Sequence, residues 1–69
     1  NSAESHFYMS EYYYNTGLPA VAADQLRIAL ATPGIDAMQK QRYQARLDRL
    51  KAWAQANRQS LIPRNNPGY

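Results

Sequence analysis

Gly17 and Pro19, set two residues apart in Asn15-Thr16-Gly17-Leu18-Pro19, divide two runs whose apolar residues recur at helical spacing. Glycine accepts the positive φ of a helix C-cap, and proline has the φ of a first helical turn. Together they predict an antiparallel helical hairpin and an all-α chain. Only one small domain fits in 69 residues, and such a chain buries about 60% of its extended surface. Cysteine is absent, so neither a disulfide nor a thiolate zinc site can staple the fold. Helix packing, a partner, or the rest of a larger protein must then stabilise it. The lack of cysteine suits the cytosol and an exported compartment equally.

The first helix is expected over residues 3–15, with Ser2 or Ser5 as its cap and Glu4 complementing the dipole of the opening turn. His6, Met9, Ser10 and Tyr13 form one stripe at spacings of three and four, and Phe7, Glu11 and Tyr14 form its neighbour. The run Tyr12-Tyr13-Tyr14 has strand propensity, but apolar and polar positions do not alternate, so helix is the better reading. Three consecutive tyrosines point about 100° apart on a helix, so at least one must be exposed or covered from outside.

The second helix is expected from Pro19 or Ala20 to Ala31. Ala22, Leu26, Ala29 and Leu30, with Val21 or Ala23, supply its apolar face, and Asp24 and Arg27 form a solvent-side pair. Thr32-Pro33-Gly34 ends it. Asp36 and Gln39 have capping-box spacing, with Ile35 placed to pack back, and open a third, longer helix of around 20 residues. Its buried stripe is Tyr43, Leu47, Leu50 and Ala54, bordered by Trp53. Gln41, Gln44, Asp48, Lys51 and Gln55 lie on the wet side. Residues 1–58 therefore read as a hairpin plus a capping helix, and residues 59–69 as a flexible tail whose Leu61 and Ile62 touch the body.

Several functions find little support in these residues. The net charge of +3 is common among soluble domains. Lys40, Arg42, Arg46 and Arg49 are spread around the third helix, which makes nucleic acid an unfavoured partner. No stretch has the roughly 20 apolar residues of a membrane span. One histidine, His6, with no cysteine and no His-Glu-x-x-His spacing, makes no catalytic zinc site. Neither a glycine-rich phosphate loop nor an oriented hydroxyl–imidazole pair occurs. No catalysis by this chain alone, and no cofactor of its own, is expected.

With Gly17 as the turn glycine, the hairpin resembles a tetratricopeptide repeat, the 34-residue helix–turn–helix unit. His6 takes the place of the first aromatic, Met9 the leucine, Ser10 the small residue and Tyr13 the tyrosine. Ala22, Leu26 and Ala29-Leu30 match the second helix. The chain departs from the pattern at His6, which is not tryptophan, at Pro19, which replaces an aromatic, and at Pro33, one place early.

Over residues 5–50, the Ser10-Glu11-Tyr12, Gln25-Leu26, Ala29-Leu30 and Gln44-Ala45-Arg46-Leu47-Asp48 segments are similar to a more particular family. This is the C-terminal repeat region of exported bacterial His-Glu-x-x-His zinc metallopeptidases of outer-membrane protein quality control. The resemblance implies a non-catalytic interaction module that recruits peptide substrate, such as unfolded outer-membrane polypeptides, or an assembly partner. Zinc and hydrolysis would belong to a metalloendopeptidase domain upstream in the parent. It also implies the periplasm or the periplasmic face of the outer membrane, with the cytoplasm left open. The peptide-binding face it implies is Glu4, Phe7, Glu11, Tyr14 and Asn15. A second reading has this face pack on other parts of the parent chain, as a purely structural terminal repeat.

Overall fold

The computed structural model describes residues 2–62, which form three helices: α1 (Ser2–Asn15), α2 (Pro19–Ala31) and α3 (Ala37–Ala56). No strand occurs among the described residues. The punctuation read from the sequence is realised hydrogen bond by hydrogen bond. Gly17, at φ +84°, closes α1 as Leu18 N–H donates to the Tyr13 carbonyl (2.8 Å) and Gly17 N–H to that of Tyr14 (3.1 Å). This is a Schellman motif, which satisfies carbonyls the helix leaves unpaired. Pro19 then opens α2, where its missing N–H costs nothing.

Pro33 followed by Gly34 at φ +86° is the signature of a type II turn. It delivers the chain to Asp36, where the expected capping box is complete. Gln39 N–H donates to Asp36 Oδ1 (2.8 Å) and Asp36 N–H to Gln39 Oε1 (3.0 Å).

α3 ends in the same Schellman pattern, with Arg58 N–H donating to the Gln55 carbonyl (3.3 Å) and Gln59 N–H to that of Ala54 (2.8 Å). Here the left-handed residue is Arg58, at φ +54°. A Cβ in that region costs about 1 kcal/mol. Arg58→Gly is therefore expected to stabilise the chain by roughly that amount, raising the melting midpoint by about 4–8 °C for a domain of this size. Thermal denaturation followed by circular dichroism checks it.

α2 is the middle helix, packed against both others. It runs antiparallel to α1, since His6 Nδ1 donates to Gln25 Oε1 (2.6 Å) across the pair while the turn lies at the other end. α1 and α3 run parallel, because their partners rise together: Glu4 with Tyr43, Glu11 with Arg46, Tyr14 with Trp53. The core comprises Ala22, Ala23, Leu26 and Ala29 of α2, Tyr43, Leu47, Leu50 and Ala54 of α3, and Ala3 of α1, with Leu61 closing it. Ser10 is the one buried polar side chain among the described residues, and its hydroxyl donates to the Phe7 carbonyl (2.7 Å). The small residues on both sides of the α1–α2 contact let the two backbones approach closely.

Some expectations need correction. Met9, placed on the packing stripe, is exposed, because α2 covers the side of α1 that carries Ala3, His6 and Ser10. Ser5 lies inside α1 and Ser2 is its first residue, so neither is positioned before the helix as an N-cap. Asp24 and Arg27 form no ion pair; the Arg27 guanidinium instead donates to the Leu61 carbonyl (3.3 Å). That contact joins the start of the expected tail to α2. Leu61 is buried as expected, whereas Ile62 is 73% exposed. The remainder of the tail, 63–69, lies outside the described residues.

Candidate functional site

Four of the five residues on the expected peptide face turn toward α3. Glu4 Oε2 accepts from the Tyr43 hydroxyl, from Arg42 Nη2 (2.5 Å) and from Gln39 Nε2 (3.3 Å). Phe7 stacks on Tyr43 with ring centroids 5.2 Å apart, and the Arg42 guanidinium lies 5.2 Å from the centre of the Phe7 ring. Glu11 accepts from Arg46 Nε (2.6 Å). Tyr14 meets Trp53 edge to face at 5.5 Å and carries the Arg46 guanidinium 5.1 Å above its ring. Asn15, the fifth, is exposed at the end of α1. Carboxylates and rings thus alternate along α1 and meet arginines and rings along α3, a two-sided strip of charge-assisted and aromatic contacts.

Helical period explains the pairing. Glu4, Phe7, Glu11 and Tyr14 fall on one side of α1 at spacings of three and four. Arg42, Arg46 and Trp53 fall on one side of α3 at spacings of four and seven. Tyr43, Arg42, Arg46 and Trp53 are the partners that reading α1 alone missed. The signal was present: an acidic–aromatic stripe and a basic–aromatic stripe on two helices of one short chain. Arg42 and Arg46, two of the four basic residues considered for nucleic acid, are engaged here. Of the other two, Arg49 lies about 180° around the helix from Lys40.

The strip is only partly shielded from water. A hollow of about 400 Å³ at its far end is lined by Tyr14, Asn15, Gly17, Pro19, Trp53 and Gln59. A wider depression of about 650 Å³ lies beside Glu4, bordered by Asp36, Met38, Gln39 and Arg42. Between Glu4 and Asn15 the helix advances about 16 Å, the length of roughly five extended residues.

The hydrogen bond from Tyr43, supported by Gln39 and Arg42 and opposed by partial burial, holds the Glu4 carboxyl below its ordinary value of 4.5. A depressed carboxyl pKa contributes stability that is complete above the unfolded value and is lost as pH falls through the folded one. Burial, then the bond to Glu4, pushes the Tyr43 phenol above its ordinary 10.0. That contribution is complete below pH 10 and is lost as pH rises beyond it. Urea midpoints measured across pH should therefore fall at both extremes. Glu4→Gln is expected to flatten the acid limb and Tyr43→Phe the alkaline one.

Among the described residues no group of three or more His, Cys, Asp or Glu side chains could hold a metal, and His6 is already bonded to Gln25. No described helix is long and apolar enough to cross a membrane.

Over the described residues, fold and strip together define an all-α arrangement of three helices whose first and third lie parallel across a shared polar and aromatic seam. No protein-family model matches the chain, and no curated protein or solved structure is significantly similar to it.

Proposed function

We propose that this chain is a non-catalytic protein-interaction module of tetratricopeptide-repeat type, serving a larger exported zinc metallopeptidase by recruiting peptide or an assembly partner. The observation that carries the interaction reading is the half-exposed α1–α3 strip with a hollow at each end. Rings at Tyr14 and Trp53 supply apolar area, and Asn15 and Gln59 supply carboxamides that can bond to a peptide backbone. Such a combination suits an extended segment lying along α1. The hollow at Tyr14, Asn15, Trp53 and Gln59 and the depression beside Glu4 and Arg42 are the open ground along it. The peptidase association and the periplasmic setting rest on the sequence resemblance. In this reading zinc and the hydrolytic step lie in a domain outside these residues.

The test is titration of the chain with synthetic extended peptides of alternating aromatic and polar residues, the pattern of outer-membrane strands, following Trp53 fluorescence and amide chemical shifts. Binding should perturb Tyr14, Asn15 and Trp53, and Asn15→Ala should weaken it several-fold without loss of helicity. No binding by the chain or by a longer form of the parent would sink the recruitment reading.

A second reading, a purely structural terminal repeat, is favoured by the engagement of Glu4, Phe7, Glu11 and Tyr14 with α3. It predicts that Phe7→Ala and Tyr14→Ala lower stability while peptide selection in the parent is unchanged.

A further inference from the structure

On α1 the buried Ser10 lies between two flanks. Phe7 stands about 60° to one side of it, against α3, and Tyr13 stands about 60° to the other. His6 and Met9 continue that second flank. The same side of the hairpin carries on across α2. Beyond Gln25, which holds His6, helical period sets Val21 and Ile28, and Leu18 stands at the turn. Met9 is 40% exposed, Leu18 47% and Ile28 38%, with Tyr13 and Val21 half-buried between them. The Tyr12 ring meets that of Tyr13 edge to face at 5.4 Å and widens the apolar ground.

This back face of the hairpin, opposite α3, carries no carboxylate, lysine or arginine. The other sides do. Glu4, Glu11, Arg42 and Arg46 lie along the α1–α3 strip. Arg27 bonds to Leu61 on the far side of α2, and Asp48, Arg49 and Lys51 are exposed on α3. The nearest charge is Asp24, about 40° further round α2 from Ile28 and so at the rim. Depletion of charge with enrichment in tyrosine and methionine is the composition of an interface core.

Two observations say what covers this face. The first is charge. A surface that meets its own copy across a two-fold axis can bring a charge close to its twin, and a face without charge escapes that repulsion. The second is the polar pair set among the apolar residues. His6 Nδ1 donates to Gln25 Oε1 at 2.6 Å, which leaves His6 Nε2 as an acceptor and Gln25 Nε2 as a donor. Neither has another bond among the described residues, and neither is sealed from solvent. A wholly apolar partner would leave both unpaired, and a charged one would bury its charge against methyl groups. A second copy of the same pair, turned about a two-fold axis, offers donor to acceptor and acceptor to donor.

We infer that the chain forms a two-fold homodimer through this back face. Met9, Leu18, Val21 and Ile28 supply the apolar contact, and Gln25 Nε2 donates to Nε2 of the partner's His6. α1 and α2 have 14 and 13 residues, so each copy contributes ground about 20 Å long and about 20 Å across. That footprint, about 400 Å², falls short of the roughly 800 Å² per partner of a standard interface. The dimer is therefore weak and reversible, with a dissociation constant on the order of 10–100 µM. The proposed peptide site lies on the α3 side of the hairpin. Loss of peptide binding would leave the dimer standing, and a monomer would leave the peptide site untouched.

Sedimentation equilibrium of the whole chain from about 5 to about 500 µM tests the dimer. The expected result is a rise from monomer to dimer mass, with concentration-dependent amide shifts at Met9, Tyr13, Leu18, Val21 and Ile28 and none along α3. Met9→Lys with Ile28→Lys places like charges across the axis and should weaken association at least tenfold with helicity unchanged. Gln25→Met removes the donor, keeps the length and should weaken it several-fold. Tyr8→Lys, on the outer side of α1, should leave it within twofold.

A monomer at about 500 µM overturns the inference. So does a dimer whose shifts fall on α3 or around Tyr8, and so does association that Met9→Lys with Ile28→Lys leaves unchanged. Should that variant lose its helicity, the shift map of the unsubstituted chain decides alone. A longer form of the parent that is monomeric, with Met9 protected from oxidation by hydrogen peroxide, would assign the face to another segment and overturn the dimer.

Discussion

Replacing Tyr43 with alanine is expected to remove a large share of the chain's stability at 25 °C. The ring is fully buried, stacks on Phe7 and carries the hydroxyl that bonds to Glu4. Truncating a large buried aromatic costs about 3–5 kcal/mol in transfer and cavity terms. At 0.05–0.15 kcal/mol per residue, a chain of 69 residues has roughly 3–10 kcal/mol in total. Circular dichroism at 222 nm and urea titration would show the loss. Tyr43→Phe separates the parts: the ring remains, so the chain should stay folded with a modestly lower midpoint. If Tyr43→Ala moved the midpoint by only a degree or two, Tyr43 could not be the residue that joins α3 to α1.

The second large effect is expected at Leu26. It is 1% exposed on the middle helix, which both other helices pack against. Leu26→Ala should cost about 2–5 kcal/mol. Because the cavity opens at the centre of α2, α1 and α3 should lose their contacts in one transition. Urea denaturation followed by Trp53 fluorescence and by helical signal should give coincident curves. Leu26→Met, which nearly conserves volume, should cost less than about 1.5 kcal/mol. Separate transitions for Trp53 and for helicity would mean that α1–α2 and α3 unfold independently.

The fold was legible largely because its determinants are local. Gly17, Pro19, Pro33 with Gly34, and Asp36 with Gln39 each act within four residues, and each forms the cap or turn expected of it. Period and residue size placed Ala22, Leu26, Ala29, Tyr43, Leu47, Leu50 and Ala54 inward, and all are buried. Met9 was misplaced because an amphipathic stripe fixes the apolar side of a helix only to within a turn. Which of two adjacent stripes is buried depends on where the neighbouring helix lies. On α1, rings occur on both stripes, so aromatic content could not choose.

The candidate face shows the same boundary. Glu4, Phe7, Glu11 and Tyr14 could be grouped from spacing alone, and they do lie on one side of α1. Their partners are 32 to 39 residues away in Gln39, Arg42, Tyr43, Arg46 and Trp53. Pairing at that distance depends on the relative rotation and axial shift of α1 and α3, which no local rule sets. A stripe of carboxylates and rings reads from sequence as a surface awaiting a ligand. In the folded chain it is half occupied by the chain's own third helix, and it keeps open ground at Asn15 and in the end hollows.

The sequence by itself determined where α2 and α3 start, where each helix stops and which residues could form a core, because capping, turn geometry and helical period are short-range. Only the tertiary structure decided that α3 lies parallel to α1, that Arg42 and Arg46 are engaged by Glu4 and Glu11, and that Tyr8, Met9 and Tyr12 remain uncovered. Those outcomes follow from how three rigid helices share one small apolar volume, in which burying one side of α1 necessarily leaves the other to solvent.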